Sequence, residues 1–381
     1  MKNVRWITGA ILALGACTSR DVSGPTSPEL RNNASVSNSA HGAVYTMSNS
    51  EAGNSILSFN RSADGSLSTG PAYATGGLGS GGGLGSQNAL ILSSNERYLL
   101  AVNAGSNDVS VFAVEGDGIR LIGVTPSGGV RPVSVTLRDG IAYVLNAGGT
   151  NNIAGFSFDK QGNLASIPGS TRLLSAASTA PAQVEFSPSG RVLVVTEKAT
   201  NKISTYLVGL GAVVSEAIVN NSAGATPFGF AFSQHGTLIV SEAFGGAPGA
   251  SAVSSYTVGN NGVPAVKSAS VTTGETAACW IVVTNSGRFA YTSNTGSGSI
   301  SGFTVRPDGT LVLLTPGGLT GVTGPGTDPI DLALSRNSQY LYALNRGNGS
   351  IAGFAVGSNG SLDPIGAVAG LPASAVGLVA R

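Results

Sequence analysis

Charged side chains are scarce in this chain of 381 residues. Asp, Glu, Lys and Arg together make up 10% of it, whereas typical soluble domains carry about 25%. The formal net charge is +1, so the basic excess that characterises nucleic-acid-binding proteins is missing. We therefore expect no nucleic-acid partner and no strongly charged partner of other kinds.

Cysteine and histidine are also rare, with two residues of each. Cys17 lies close to the N-terminus, which leaves Cys279 as a lone thiol and excludes a disulfide framework. Two separated histidines do not form the Cys/His cluster of a zinc site, and they do not indicate a Ser-His-acid triad. We expect no metal and no cofactor.

The N-terminus carries an apolar run, residues 6–14, that is too short to span a bilayer. A basic start precedes this run, and Leu14-Gly15-Ala16-Cys17 follows it, which together are typical of an export signal. The four-residue stretch resembles the bacterial lipoprotein box, in which the cysteine is lipidated and becomes the new N-terminus. An ordinary secretory signal is the alternative interpretation.

We accordingly predict a signal peptide at residues 1–17 with lipidation at Cys17. Residues 18–41 are rich in Ser, Asn, Pro and Thr and predict a flexible tether. Acyl chains on Cys17 would anchor the protein to a membrane. We therefore expect an exported protein that is lipid-anchored in the cell envelope, at the outer membrane or the periplasmic face.

Glycine, by contrast, is abundant, at 56 residues, and a short phrase recurs seven times. Each copy has a β-branched apolar residue and, three positions later, an aromatic one. The seven aromatics are spaced 44 to 53 residues apart and are Phe59, Phe112, Phe156, Tyr206, Tyr256, Phe303 and Phe354. A repeat of this length indicates a propeller or a solenoid. We interpret the phrase as packing between repeats, not as a recognition motif.

Each repeat predicts four short strands joined by turns, which is the pattern of a propeller blade. The first repeat lacks its innermost strand, and residues 373–379 have the missing pattern at the other end of the chain. We therefore predict an all-β fold over residues 42–381. It is a seven-bladed β-propeller of four-stranded blades whose ring is closed by the C-terminal strand.

The residue pattern of the repeats resembles that of a known family. In the clearest copies a proline opens the inner strand, Ser-x-x-Gly-Arg follows it, and the second strand ends in Asn or Glu. This pattern is similar to that of the seven-bladed lactonase family, which includes 6-phosphogluconolactonase and carboxymuconate cyclase. It is also similar to that of the YVTN-repeat propellers. The resemblance implies hydrolysis of a small lactone, a carboxylic ester, on one rim of the central channel. The family's rim histidines are absent here, and export disfavours a phosphorylated cytoplasmic substrate.

Charged and aromatic residues are expected to gather on the rim formed by the blade-to-blade connections. They are Arg131, Glu185, Glu197, Lys198, Glu242, Glu275, Trp280, Asp328, Asp331 and Arg346. Glu197 and Glu242 stand where the other five repeats have Asn, and each is a candidate base for activating water. Arg131 is the candidate for stabilising the oxyanion, and Trp280, Asp331 and Arg346 are the candidate ligand-binding residues.

Several of these features have an alternative interpretation. The charged groups at the strand ends could cap turns, and Trp280 could be a core residue. Residues 76–85 are glycine-rich but are not followed by the Lys-Ser/Thr of a phosphate-binding loop, so we predict a flexible connection between blades. The alternative function is a non-catalytic propeller of the envelope that binds a protein or a glycan.

Overall fold

The computed structural model describes residues 42–116 and 118–381. The predicted signal peptide, the lipidation site at Cys17 and the tether at 18–41 lie outside the described residues. Within these residues almost all regular structure is β-strand, organised in seven sheets. No helix in the described part of the chain is long and apolar enough to cross a membrane.

The strands follow one another in groups that correspond to the blades. Blade 1 contains β1 (Gly42–Met47), β2 (Ser55–Arg61), β3 (Leu67–Ala74) and, from the far end of the chain, β30 (Val376–Ala380). Blade 2 contains β4 (Leu90–Leu92), β5 (Tyr98–Asn103), β6 (Asp108–Glu115) and β7 (Gly118–Pro126). Blade 3 contains β8 (Val130–Arg138), β9 (Ile141–Gly148), β10 (Asn152–Phe158), β11 (Leu164–Ser166) and β12 (Arg172–Leu173). Blade 4 contains β13 (Pro181–Phe186), β14 (Val192–Glu197), β15 (Lys202–Leu207) and β16 (Ile218–Asn221).

The remaining three blades repeat this order. Blade 5 contains β17 (Pro227–Phe232), β18 (Thr237–Glu242), β19 (Ala252–Val258) and β20 (Pro264–Thr272). Blade 6 contains β21 (Ala278–Val283), β22 (Phe289–Asn294), β23 (Ser299–Val305), β24 (Leu311–Leu313) and β25 (Gly321–Val322). Blade 7 contains β26 (Pro329–Leu334), β27 (Tyr340–Asn345), β28 (Ser350–Val356) and β29 (Leu362–Ala369). Two short 3-10 turns, Leu210–Ala212 and Phe244–Gly246, interrupt the connections of blades 4 and 5.

The ring closes as the sequence predicts. Strand β30 pairs antiparallel with β1, and the order in that sheet is β3-β2-β1-β30. The closing strand begins at Val376, later than the predicted residue 373, because Ala375 donates a backbone hydrogen bond to the carbonyl of Pro372 (2.9 Å) and holds that stretch in a turn. Closure removes the open sheet edge that a broken ring would expose.

The recurring aromatics are packing residues. All seven are buried, with at most 4% of their surface exposed. Some also hold neighbouring segments: the Tyr206 hydroxyl donates to the carbonyl of Leu173 (3.1 Å), and the Tyr256 hydroxyl accepts from the amide of Ala223 (2.9 Å). Burying each ring stabilises the fold by about 1.5–3 kcal/mol.

Antiparallel pairing gives the ring two distinct rims. We call upper rim the one with the blade-to-blade connections and the turns between second and third strands. The lower rim has the turns between first and second strands and between third and fourth strands. The innermost strands, β30, β4, β8, β13, β17, β21 and β26, surround the central channel between the two rims.

Candidate functional site

Glu197, at the end of the second strand of blade 4, is buried in a set of hydrogen-bond donors. Its side chain is 0% exposed. The carboxylate accepts from the amide of Ser175 (3.2 Å) and from the hydroxyls of Ser175, Thr200 (2.9 Å) and Ser204 (2.6 Å). Four donors leave no room for an attacking water. The geometry gives this carboxylate a structural role in tying the upper-rim loops to the blade.

Glu242 has the same role one blade further on. It is also 0% exposed and accepts from the amide of Gly224 (2.8 Å) and from the hydroxyls of Ser254 and Ser270 (2.7 Å). Burial raises the pKa of its carboxyl, and these hydrogen bonds partly oppose that shift. We infer no catalytic task for it from this geometry.

Asparagine makes the equivalent contact to the third strand in blades 2 and 6. The amide of Asn103 donates to the Ser110 hydroxyl (2.7 Å), and that of Asn294 donates to the Ser301 hydroxyl (2.9 Å). In both blades, as in blades 4 and 5, the partner is the serine of the recurring aromatic phrase. The two glutamates are therefore variants of a shared second-to-third-strand contact, in agreement with the turn-capping alternative.

The innermost strands contain a second recurring contact. In blades 4, 5 and 6, where a bulge interrupts the pairing of the inner strand, the free amide donates to a side chain of another element. Ser134 accepts from the amide of Val184 (3.1 Å), and the Gln183 side chain accepts from the amide of Phe230 (2.7 Å). These contacts join blade 3 to blade 4 and blade 4 to blade 5. In blades 3 and 4 the side chain at this position is thus committed to the seam with the next blade.

Asp331 occupies that position in blade 7. Its carboxylate accepts from the amide of Leu332 (2.8 Å) and from the backbone of Leu378 in the closing strand. It is 3% exposed, and burial raises its pKa well above the usual range. The structure therefore places this predicted ligand-binding residue at the closing seam of the ring.

The glycine-rich connection between blades 1 and 2 continues into a segment, residues 84–88, that crosses the channel. The Ser86 hydroxyl donates to the carbonyl of Val133 in blade 3 (2.7 Å), and the Gln87 amide donates to the carbonyl of Ala182 in blade 4 (3.0 Å). On the far side, the Gln87 side chain accepts from the amide of Ile281 (3.0 Å) and donates to its carbonyl (2.8 Å). We call residues 84–88 the crossing segment.

Gln87 fits a gap that blade 5 leaves open. Blade 5 has Gly229 where blades 3 and 4 have Ser134 and Gln183, so it offers no side chain to the bulged amide of blade 6. A Cβ atom added at Gly229 would overlap with Oε1 of Gln87. This contact was not predicted, and its only signal in the sequence is a glycine at a position that is polar in the two preceding repeats.

Above the crossing segment lies a small cavity of about 160 Å³. Its polar and aromatic lining comes from Ser86, Trp280 and Arg346, and the rest is backbone and aliphatic surface from Gly83, Leu84, Gly85, Ile330, Val376 and Gly377. We call it the upper cavity. Two of the three predicted ligand-binding residues, Trp280 and Arg346, meet here.

Trp280 is held in place on both sides. Its indole N–H donates to the carbonyl of Ser86 (2.9 Å), and its ring packs at 4.8 Å against Phe228. Arg346 is less constrained. Its guanidinium is 43% exposed and lies 3.7 Å from the Asp328 carboxylate. The cavity thus has one fixed aromatic wall and one cation that forms a long, partly exposed ion pair.

Lys198 lies directly behind this cavity. Its ammonium donates to the carbonyl of Gly85 and lies 4.6 Å from the centre of the Phe228 ring. Burial is the main cause that lowers its pKa to about 8, and the nearby Arg131 acts in the same direction. Burial also raises the pKa of the Cys279 thiol to about 11, which makes that sulfur a poor nucleophile.

Two predicted rim residues have other positions. Arg131 is exposed, does not line the upper cavity, and has a positive φ of 54° stabilised by its amide donating to Asn107 (2.7 Å). Glu185 was expected on the upper rim, but it lines the channel below the crossing segment. The predicted position was wrong because the position of a residue along an inner strand sets its height in the channel. Residue 185 is near the lower end of β13.

Comparison with known proteins supports the predicted family. Residues 92–243 match the family model described as Lactonase, 7-bladed beta-propeller. These residues carry the lactonase-propeller pattern. The resemblance predicted from the repeats is therefore confirmed, and the matched segment runs from the end of β4 in blade 2 to just after β18 in blade 5.

Solved structures share the whole ring. A protein from Lactobacillus plantarum superposes with a TM-score of 0.72 at 18% identity, covering 89% of this chain and 99% of its own. The periplasmic gluconolactonase PpgL of Pseudomonas aeruginosa gives 0.69 at 17% identity, covering 88% and 99%. A Bacteroides fragilis protein provisionally named 6-phosphogluconolactonase gives 0.65 at 20% identity, covering 91% and 99%. At these identities the likeness shows the fold. No curated protein matches the chain in sequence.

Proposed function

We propose that this lactonase-family propeller binds a small lactone or sugar-like ligand in the upper cavity, as a lipid-anchored protein of the cell envelope. The observation that carries the proposal is the meeting of Trp280 and Arg346 on one cavity of single-ring size. A cavity of about 150 Å³ is large enough for benzene. The indole offers an apolar face to a ring, and the guanidinium offers donors to its oxygens.

The cavity favours binding over hydrolysis. None of its described lining residues is a carboxylate or a histidine that could take a proton from water. Lys198, whose pKa is lowered to about 8, does not line the cavity and donates to the carbonyl of Gly85. We therefore assign no catalytic base and place binding first.

The proposed location rests on the N-terminal sequence. The short apolar run and Cys17 are the features of an exported lipoprotein, and PpgL, which shares the fold, is named as periplasmic. Labelling of the full chain with a radioactive or alkyne-bearing fatty acid in a bacterial host should be abolished by Cys17→Ser. Equal labelling of both proteins would contradict the anchor.

Tryptophan fluorescence tests binding directly. The chain has two tryptophans, and Trp280 is the only one after residue 17, so it reports on the upper cavity alone. Titration of the mature protein with glucono-1,5-lactone and with glucose should change its emission in a saturable manner. Arg346→Met should weaken binding about tenfold or more, since a hydrogen bond to a charged group contributes about 1.5–3 kcal/mol.

Arg306→Met is the matched control because Arg306 is exposed on the lower rim and does not line the cavity. It should leave the titration unchanged. No saturable change in the wild type, or equal affinity in both variants, would refute the proposed site. Proton release from the lactone above the buffer rate, measured in parallel, would show hydrolysis and would contradict the assignment of binding without a catalytic base.

A further inference from the structure

A second, larger cavity lies below the crossing segment. It has a volume of about 450 Å³ and is lined by inner-strand residues from all seven blades. Its size falls within the usual range of small-molecule sites, roughly 300–1,000 Å³. Gln87 and Asn88 of the crossing segment form its roof, so it is separate from the upper cavity. We call it the lower cavity.

One residue of each blade contributes to a ring of side chains in its wall. In each blade this residue pairs with the equivalent residue of the adjacent second strand. The seven side chains therefore lie at one height in the channel. They are Ile91, Thr136, Glu185, Ala231, Val282, Ala333 and Val379. Six of the seven are uncharged. Glu185 is therefore a single carboxylate in an otherwise apolar or hydroxyl-bearing ring.

The hydrogen bonds of Glu185 leave one oxygen free for a ligand. Gln183 (2.7 Å) and Asn88 (3.4 Å) both donate to Oε2, and within the described ranges no donor or cation pairs with Oε1. The Gln183 amide is also fixed by its bonds to the Phe230 backbone. The carboxylate is thus oriented from one side and open on the other.

No charged side chain from the strands packed against β13 compensates Glu185. In β8, Arg131 is at the upper end, and Arg138 lies 3.3 Å from Asp139 at the lower rim. In β14, Glu197 is enclosed by its own donors at the upper end. Strands β9, β17 and β4 contain no charged residue.

From this geometry we infer that the lower cavity is a binding site for a small apolar molecule with one primary ammonium group. The ammonium would donate to Oε1 of Glu185, and the apolar body would lie against the ring formed by residues such as Ile91 and Val282. An uncompensated carboxylate beside the mostly apolar side chains of the ring favours a cationic ligand because the ligand supplies the missing charge. This site is independent of the proposed upper-cavity function.

Paired probes of equal shape test the inference. Benzylamine and benzyl alcohol differ in charge but hardly in size, and their binding to the mature protein can be measured by calorimetry or ligand-observed NMR. We expect benzylamine to bind at least tenfold more tightly at pH 8. Trp280 emission should not change, since that residue lines only the upper cavity.

The pH dependence has a defined direction. Burial raises the pKa of Glu185 to about 7, so the carboxyl is largely protonated below that pH and loses its attraction for the ammonium. Benzylamine affinity should therefore rise between about pH 6 and pH 8, whereas benzyl alcohol affinity should stay constant.

Three variants locate the site. Glu185→Gln should reduce benzylamine affinity to that of the alcohol and remove its pH dependence. Asp363→Asn, on the exposed face of β29, is the matched control and should change neither. Ala231→Phe should block both probes by filling the ring, with folding checked by circular dichroism. Absence of benzylamine binding to the wild type, equal affinity for both probes, or an unchanged Glu185→Gln variant would overturn the inference.

Discussion

The Gln87 side chain closes the channel by satisfying two backbone groups, so Gln87→Ala should lower the free energy of unfolding by about 2–4 kcal/mol. Ile281 is 0% exposed, and its amide and carbonyl both bond to Gln87. A buried polar group left without a partner costs about 1–3 kcal/mol. Two such groups would cost about 2–6 kcal/mol together. We expect the lower part of this range because Ile281 borders the lower cavity, so that truncation of Gln87 lets water reach these groups.

Gly229 provides a second test of the same contact. A methyl group at this position overlaps with Oε1 of Gln87, so Gly229→Ala should destabilise the protein by forcing the glutamine out. In a Gln87→Ala background that overlap is gone and only the close contact with the Cys279 carbonyl (2.8 Å) remains, so the same substitution should cost less. The two changes should therefore be coupled in a double-mutant cycle.

Denaturant unfolding with linear extrapolation measures these differences. Gln161→Ala is the matched control because Gln161 is exposed in a lower-rim turn, and it should change stability by no more than about 0.5 kcal/mol. If Gln87→Ala were as stable as this control, or if Gly229→Ala cost the same in both backgrounds, the crossing segment would not hold the ring as described.

Three further predictions concern the ring and its buried carboxylates. Deleting residues 373–381 removes β30 and should abolish most of the cooperative thermal transition seen by circular dichroism; melting like the full chain would disprove closure. Glu197→Gln should destabilise by about 1–3 kcal/mol, because an NH₂ group would face donors, yet leave the Trp280 titration unchanged. The raised pKa of Asp331 means that the folded state binds its proton more tightly than the unfolded chain does. Stability should therefore fall as the pH rises above about 4, and Asp331→Asn should remove this slope; identical slopes in urea titrations would contradict it.

The candidate site was predicted only in part. Trp280 and Arg346 were expected to bind a ligand, and they do line one cavity. Glu197 and Glu242 are candidates because they replace asparagine, but each keeps the contact to the third-strand serine, with the direction reversed because the carboxylate accepts where asparagine donates. A single sequence shows which residue departs from a repeat. Whether that residue has a catalytic or a structural role depends on the hydrogen-bond donors around it, which only the structure shows.

The number of blades, the course of each strand and the closing role of the C-terminus follow from the sequence alone. They depend on alternation and turns, which are local, and on the repeat, which makes each unit predict the next. Only the tertiary structure decided that a glycine-rich connection crosses the channel and divides it into two cavities. Closing the ring brings Gln87 to Ile281, 194 positions away, and no local pattern encodes such a contact.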